Sequence, residues 1–211
     1  MEISKYIDHT LLKPEASFSN VQKLCQEALK FGFAAVCINP VFVSHAYSLL
    51  KNSVVAVCTV AGFPLGANVT ETKLSEAKLA LQSGASEIDM VIHVGALKSG
   101  QYQLVQKDIH GVVSTCKEYG AICKVIIETA LLSDSEKEKA CELAAKAGAD
   151  FVKTSTGFAS GGATVYDVEL MSNIAQKSGM RVKAAGGIRT LDDAMKMIDR
   201  KSTRLNSSHY S

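Results

Sequence analysis

DFVKTSTGFASGGATVYDVELMSNIAQKSGMRVKAAGGIR, residues 150 to 189, decides the fold. It begins with DFVKTS (150 to 155) and ends with RVKAA (181 to 185) and a glycine pair. Both runs are nearly continuous in apolar character, as strands buried on two faces are, instead of alternating. Between them VYDVELMSNIAQKSG carries a helical pattern. Two strands separated by a helix imply a parallel pair joined by a right-handed crossover.

The same unit recurs toward the N-terminus. AAVCIN (34 to 39), VVAVCTV (54 to 60), EIDMVI (87 to 92) and ICKVIIE (122 to 128) read as further strands, with IDHTLL (7 to 12) as the first. ETKLSEAKLALQSG places Leu74, Ala77 and Leu81 on one stripe and stops at Gly84, a C-cap residue type. SEKEKACELAAKAG follows Ser133 and Asp134, has acids in its first turn and ends at Gly148. Polar or glycine-rich loops follow almost every strand, among them AGFPLG (61 to 66), TSTGFASGG (154 to 162) and AAGGIR (184 to 189). A doubly wound sheet would carry a nucleotide fingerprint early, and none is present. A (β/α)8 barrel puts its chemistry at the C-terminal ends of many strands, which is the pattern here. Seven strands are counted, so an eighth is expected to be missing.

The 211 residues fit one domain, with 47% hydrophobic and 21% charged residues. A net charge of +2 without a basic cluster favours neither nucleic acid nor an anionic membrane surface. The polar start MEISKYIDHT is unlike a secretory leader and no apolar run is long enough to span a bilayer, so a cytoplasmic protein acting on a small molecule is expected. Six cysteines without CxxC spacing and five scattered histidines give no metal motif, so neither a metal nor a cofactor is expected.

Lys153 and Lys183 stand 30 residues apart, one βαβ unit, and so at equivalent heights on neighbouring strands. A lysine is a nucleophile only when neutral, and bringing its ordinary pKa near 7 takes roughly 4 kcal/mol of destabilisation of the charged form. Apolar neighbours such as Phe151 and Val152, and a second cation close by, both act in that direction. The pair therefore suits Schiff-base catalysis. Asp89, a carboxylate inside an apolar strand, is costly unless paired, and could shuttle protons. Glu87 shares its face of the strand and competes for the role. Backbone N–H groups of the TSTG and AAGGIR loops could hold a phosphate.

IDHTLL, EIDMVI, FVKTSTGF, GGAT and VKAAGGIRT together resemble the deoxyribose-phosphate aldolases, over residues 1 to about 198. The resemblance implies a metal-free (β/α)8 barrel, a lyase of carbohydrate degradation, that cleaves 2-deoxyribose 5-phosphate to acetaldehyde and glyceraldehyde 3-phosphate. It makes Lys153 the Schiff-base lysine, Lys183 the neighbour that lowers its pKa and Asp89 part of a proton relay through water. It makes Thr156 a contact to substrate hydroxyls, and Gly157, Gly186 and Gly187 part of the phosphate cradle. Asp8 becomes a polar support, and Cys37 matches a cysteine near the pocket, with buried packing equally open. Phe158 departs from members that carry lysine after TSTG, which leaves more of the phosphate to backbone groups. Another class I aldolase, a transaldolase or a silent phosphate-binding barrel remain as alternatives, and a homodimer is left open.

After LDDAMKMI the family continues into a glycine turn, an eighth strand and a GTSSG-like loop, whereas this chain reads DRKSTRLNSSHYS. That stretch lacks apolar periodicity and resembles the translation of a sequencing adapter. Residues 1–198 are thus expected to be an incomplete barrel domain and 199–211 a non-native tail. An open barrel missing strand 8 and its phosphate loop would be unstable and poorly active.

Overall fold

The structure is a computed structural model, and it describes residues 2–208. Strands and helices alternate in the order β1 (Ile7–Leu11), α1 (Phe18–Phe31), β2 (Ala35–Ile38), α2 (Val43–Leu50), β3 (Ala56–Ala61), α3 (Thr70–Gln82) and β4 (Glu87–Val91). Two helices, α4 (Val94–Lys98) and α5 (Tyr102–Glu118), then precede β5 (Ile122–Ile126) and α6 (Asp134–Ala147). The chain continues with β6 (Phe151–Lys153), α7 (Val165–Ala175), β7 (Arg181–Ala184), α8 (Leu191–Asp199) and β8 (Ser202–Ser208).

Local chemistry sets the helix limits. Ser133 and Glu136 form a reciprocal capping box at the start of α6, and Gly148 ends it in the left-handed conformation, with φ 79°. Ser17 with Asn20 and Thr190 with Asp193 make the same box on α1 and α8. Such caps are worth about 1 kcal/mol each. They fix where each helix leaves the sheet.

All eight strands pair in parallel and in chain order into a closed barrel. The expected gap between the first and seventh strands is therefore not there. Residues 202–208 fill it, with Ile7 opposite Leu205 and Asp8 opposite Asn206 on one side, and Lys183 opposite Arg204 on the other. An irregularity at Val182/Lys183 adjusts the register. A ladder is made by main-chain groups, which STRLNSS supplies as well as an apolar run would. One outward residue, Leu205, packs with Ala194 and Met197 in the helix-side core, while Arg204 reaches Asp8 and Glu87. The instability expected from an open barrel loses its premise. Residues on both sides of position 198 stand in this one barrel, and 209–211 lie outside the described residues.

Strand alternation divides the core in two. Ile88, Met90, Cys123, Val125, Val152, Val182 and Ala184 face the helices in the main cluster. Inside the barrel, Leu12, Ala35, Cys37, Cys58 and Val60 form a smaller apolar group. Among the other inward positions, Asp8 of β1, Glu87 and Asp89 of β4, Lys124 of β5, Lys153 of β6 and Lys183 of β7 carry charge. No helix among the described residues is long and apolar enough to cross a membrane.

Candidate active site

Lys153 and Lys183 are register partners on β6 and β7. Both are fully buried, and both donate to one oxygen, Asp89 Oδ2, at 2.7 and 2.9 Å. Asp89 comes from β4, on the far side of β5. A carboxylate inside the barrel is thus what brings the two ammonium groups to a single point.

The charge cluster is larger than the sequence indicated. Lys124 is the register partner of Asp89 and donates to its Oδ1 at 2.7 Å, while also lying 2.6 Å from Glu87 Oε2. Asp8 receives Lys183 at 2.5 Å and, through its other oxygen, Arg204. Arg204 also reaches Glu87 Oε1 at 3.1 Å. Lys124 carried the same signal as Asp89, a charge within an apolar strand, and could have been found by it. Arg204 could not, because it lies in the stretch that reads as foreign.

Electrostatics fixes most of the protonation states. Burial pushes the Asp89 carboxyl up, but Lys124, Lys153 and Lys183 together hold it well below the usual carboxylate range. Asp8 is likewise depressed, against its burial, by Lys183, Lys124 and Arg204. Burial disfavours the Lys183 cation, yet Asp8 and Asp89 raise it far above an ordinary lysine. Lys124 is raised in the same way, against its burial, chiefly by Asp89. The Glu87 carboxylate faces Lys124 and Arg204.

Above this cluster the two glycine-bearing loops meet. Thr154 Oγ1 donates to Ala185 O at 3.0 Å, and the Ala163 N–H donates to Gly186 O at 3.0 Å. Gly186 has φ 86°, and a Cβ there would stand 2.9 Å from Gly162 Cα, so the contact requires glycine on steric and torsional grounds. Thr156, Gly157, Gly186 and Gly187 line one cavity of about 370 Å³ at this end of the barrel. Lys153 does not line it; Thr156, three residues further along, does. Lys13 and Arg189 add two cationic side chains to the wall, so backbone groups are not its sole resource for an anion. Phe158, 52% exposed, stacks edge to face on Phe63 at 5.3 Å and also lines the cavity.

Thr156 is held by Glu128, a buried residue that ends the run ICKVIIE and was given no site role from the sequence. Glu128 Oε2 accepts the Thr156 N–H at 3.1 Å and its hydroxyl. Cys37 is fully buried and is the register partner of Cys58. Hydrogen bonding from Cys58 lowers the Cys37 thiol, while burial and that same bond raise Cys58 well above its usual value. Ligand atoms of Cys37, Cys58 and Asp89 lie within 4.8 Å of one another. Three lysine ammonium groups already occupy Asp89, which makes the group a poor cation site.

A family model described as DeoC/LacD family aldolase matches residues 3–203. The chain is 58% identical over 207 residues to a deoxyribose-phosphate aldolase from Clostridium kluyveri, covering 98% of this chain and 94% of that one. A deoxyribose-phosphate aldolase from Thermoanaerobacter sp. is 56% identical over 209 residues, or 99% and 93% of the two chains. Among solved structures, the tetrameric deoxyribose phosphate aldolase from Aeropyrum pernix superposes with a TM-score of 0.91 at 36% identity, covering 98% of this chain and 86% of that one.

Proposed function

Because the chain belongs to the DeoC/LacD family of aldolases, we propose that it cleaves 2-deoxyribose 5-phosphate reversibly to acetaldehyde and glyceraldehyde 3-phosphate through a Schiff base on Lys153. The observation that carries the site assignment is the sharing of Asp89 Oδ2 by two buried lysines. Four basic side chains, Lys124, Lys153, Lys183 and Arg204, face three carboxylates, Asp8, Glu87 and Asp89. Lys183 has Asp8 as well, and Lys124 has Glu87, whereas Lys153 has, among the described residues, only the carboxylate oxygen it shares. Lys153 is then the lysine of the cluster with the fewest carboxylate partners, and the one assigned here as nucleophile.

In the cleavage direction the Lys153 amine attacks the C1 aldehyde of the open-chain sugar and loses water to give an iminium ion. Removal of the C3 hydroxyl proton breaks the C2–C3 bond and its electron pair moves into the iminium. Glyceraldehyde 3-phosphate leaves, and an enamine remains on Lys153. Protonation of its terminal carbon and hydrolysis release acetaldehyde and the free amine. Asp89, held ionised, accepts and returns protons through water. Lys183 remains a cation and disfavours a second charge beside it. Thr156 contacts substrate hydroxyls, and Gly157, Gly186 and Gly187 cradle the phosphate beside Lys13 and Arg189. Asp8 positions Lys183, and Cys37 packs the apolar side of the interior. The chemistry requires no cofactor. A cytoplasmic location and a homodimer belong to the same reading. The foreign origin of residues 199–211 is a separate proposal, tested by genomic sequence across the codon for Ile198.

Borohydride reduction in the presence of acetaldehyde tests the assignment. An N-ethyl adduct on Lys153, located by mass spectrometry and lost in Lys153→Ala, is expected. Reduction that labels another lysine, or none, rejects it.

A further inference from the structure

We propose that Glu128 contacts substrate: its second carboxylate oxygen accepts a hydrogen bond from the hydroxyl of the phosphorylated acceptor aldehyde. The proposal rests on the aldolase reading above. Glu128 is 3% exposed and has φ 56°, a left-handed conformation that a residue with a side chain adopts only when its surroundings impose it. Its Oε2 is fully engaged by Thr156. Its Oε1 is buried and has no hydrogen-bond partner among the described residues. A carboxylate oxygen left without a hydrogen-bond partner inside a protein is unfavourable. A ligand group that donates removes that defect.

Thr156 directs the donor to Glu128. The threonine hydroxyl has one proton, which it gives to Glu128 Oε2, and it accepts the Phe158 N–H at 3.1 Å. What the Thr156–Glu128 unit still offers is therefore acceptor capacity alone. Glu128 lines a recess of about 120 Å³ together with Thr156, Phe158 and Ala159, and those three residues also line the larger cavity of the glycine loops. The remaining walls include Pro64, Leu65 and Val91, so Glu128 is the ionisable group there. Lys153 lies three residues before Thr156 and the glycine loops lie beyond it. A substrate covalently held at one end and anchored by phosphate at the other passes its hydroxyl-bearing carbons across this point.

Glu128→Gln keeps the shape and can still accept from Thr156, but turns the free atom into an amide donor. The test compares addition of acetaldehyde to glyceraldehyde 3-phosphate and to 3-phosphooxypropanal, which lacks the hydroxyl. Glu128→Gln should lower kcat/KM for the first roughly 10- to 100-fold and for the second less than about 3-fold. The N-ethyl adduct on Lys153 should form as in the unsubstituted protein. If Glu128→Gln does not fold, Glu128→Asp, which withdraws the carboxylate by one methylene, must show the same selective loss. Equal losses on both acceptors would mean that Glu128 acts only by holding Thr156, and no loss would mean no contact; either overturns the proposal. Absence of the Lys153 adduct in the unsubstituted protein is a separate outcome, which rejects the aldolase reading and this proposal with it.

Discussion

Lys124 stands directly beside Asp89 on the neighbouring strand, and its ammonium group donates to Asp89 Oδ1 at 2.7 Å. That bond turns the other oxygen, Oδ2, toward Lys153 and Lys183. Removing one partner from a buried ion pair leaves an uncompensated charge and costs about 3–5 kcal/mol. Lys124→Met should lower the urea-unfolding free energy by about that amount and cut kcat at least about tenfold through the misdirected carboxylate. A loss below about 1 kcal/mol would show that the pair does not constrain Asp89.

The cavity wall makes a claim about the phosphate. Lys13 is half-buried on β1's C-terminal side and lines the same cavity as Gly186 and Gly187. Lys13→Ala should raise KM for 2-deoxyribose 5-phosphate about 5- to 10-fold, as expected for one charge-assisted contact. Turnover of unphosphorylated 2-deoxyribose should not change. Equal effects on the two sugars would remove Lys13 from phosphate binding.

Stability should depend on pH at the extremes only. Asp89 is depressed below 3.8, so its contribution is present above that value and is lost as pH falls through the lower folded-state value. Lys183 is raised above 10.5, so its contribution is present below that value and is lost as pH rises through the higher folded-state value. Urea midpoints should be nearly flat between about pH 5 and 9 and fall steeply below about pH 4. A main transition near neutrality would contradict these assignments.

Barrel closure is open to direct test at Leu205, which is buried among Ala194 and Met197. Leu205→Ala should destabilise by about 2–4 kcal/mol if residues 202–208 form the eighth strand, and by under about 0.5 kcal/mol if they hang free. Chemical denaturation distinguishes the two.

Lys201, between α8 and β8, has φ 69°, a left-handed backbone that disfavours side chains. Lys201→Gly should therefore stabilise by about 0.5–1 kcal/mol, relief of strain exceeding the added freedom of the unfolded chain. A lower urea midpoint would show that the turn is not under strain.

The sequence by itself determined the alternation of strand and helix, the strand positions to within a residue or two, and the in-register placement of Lys153 and Lys183. These follow from local signals: buried strands are apolar throughout, caps have fixed chemistry, and one βαβ unit returns the chain to the same height. Asp89 was legible as a carboxylate in an apolar strand, but only the tertiary structure decided what else joins the lysines around it. Lys124, Asp8 and Glu87 join Asp89 because closing the barrel turns the inward positions of separate strands toward one axis, a relation between residues up to 196 positions apart, as Asp8 and Arg204 are. The eighth strand was illegible for a related reason. Its place is set by unpaired main-chain groups on β1 and β7, which leave no mark on side-chain periodicity, and a polar stretch satisfies them once the other seven strands hold the opening in shape.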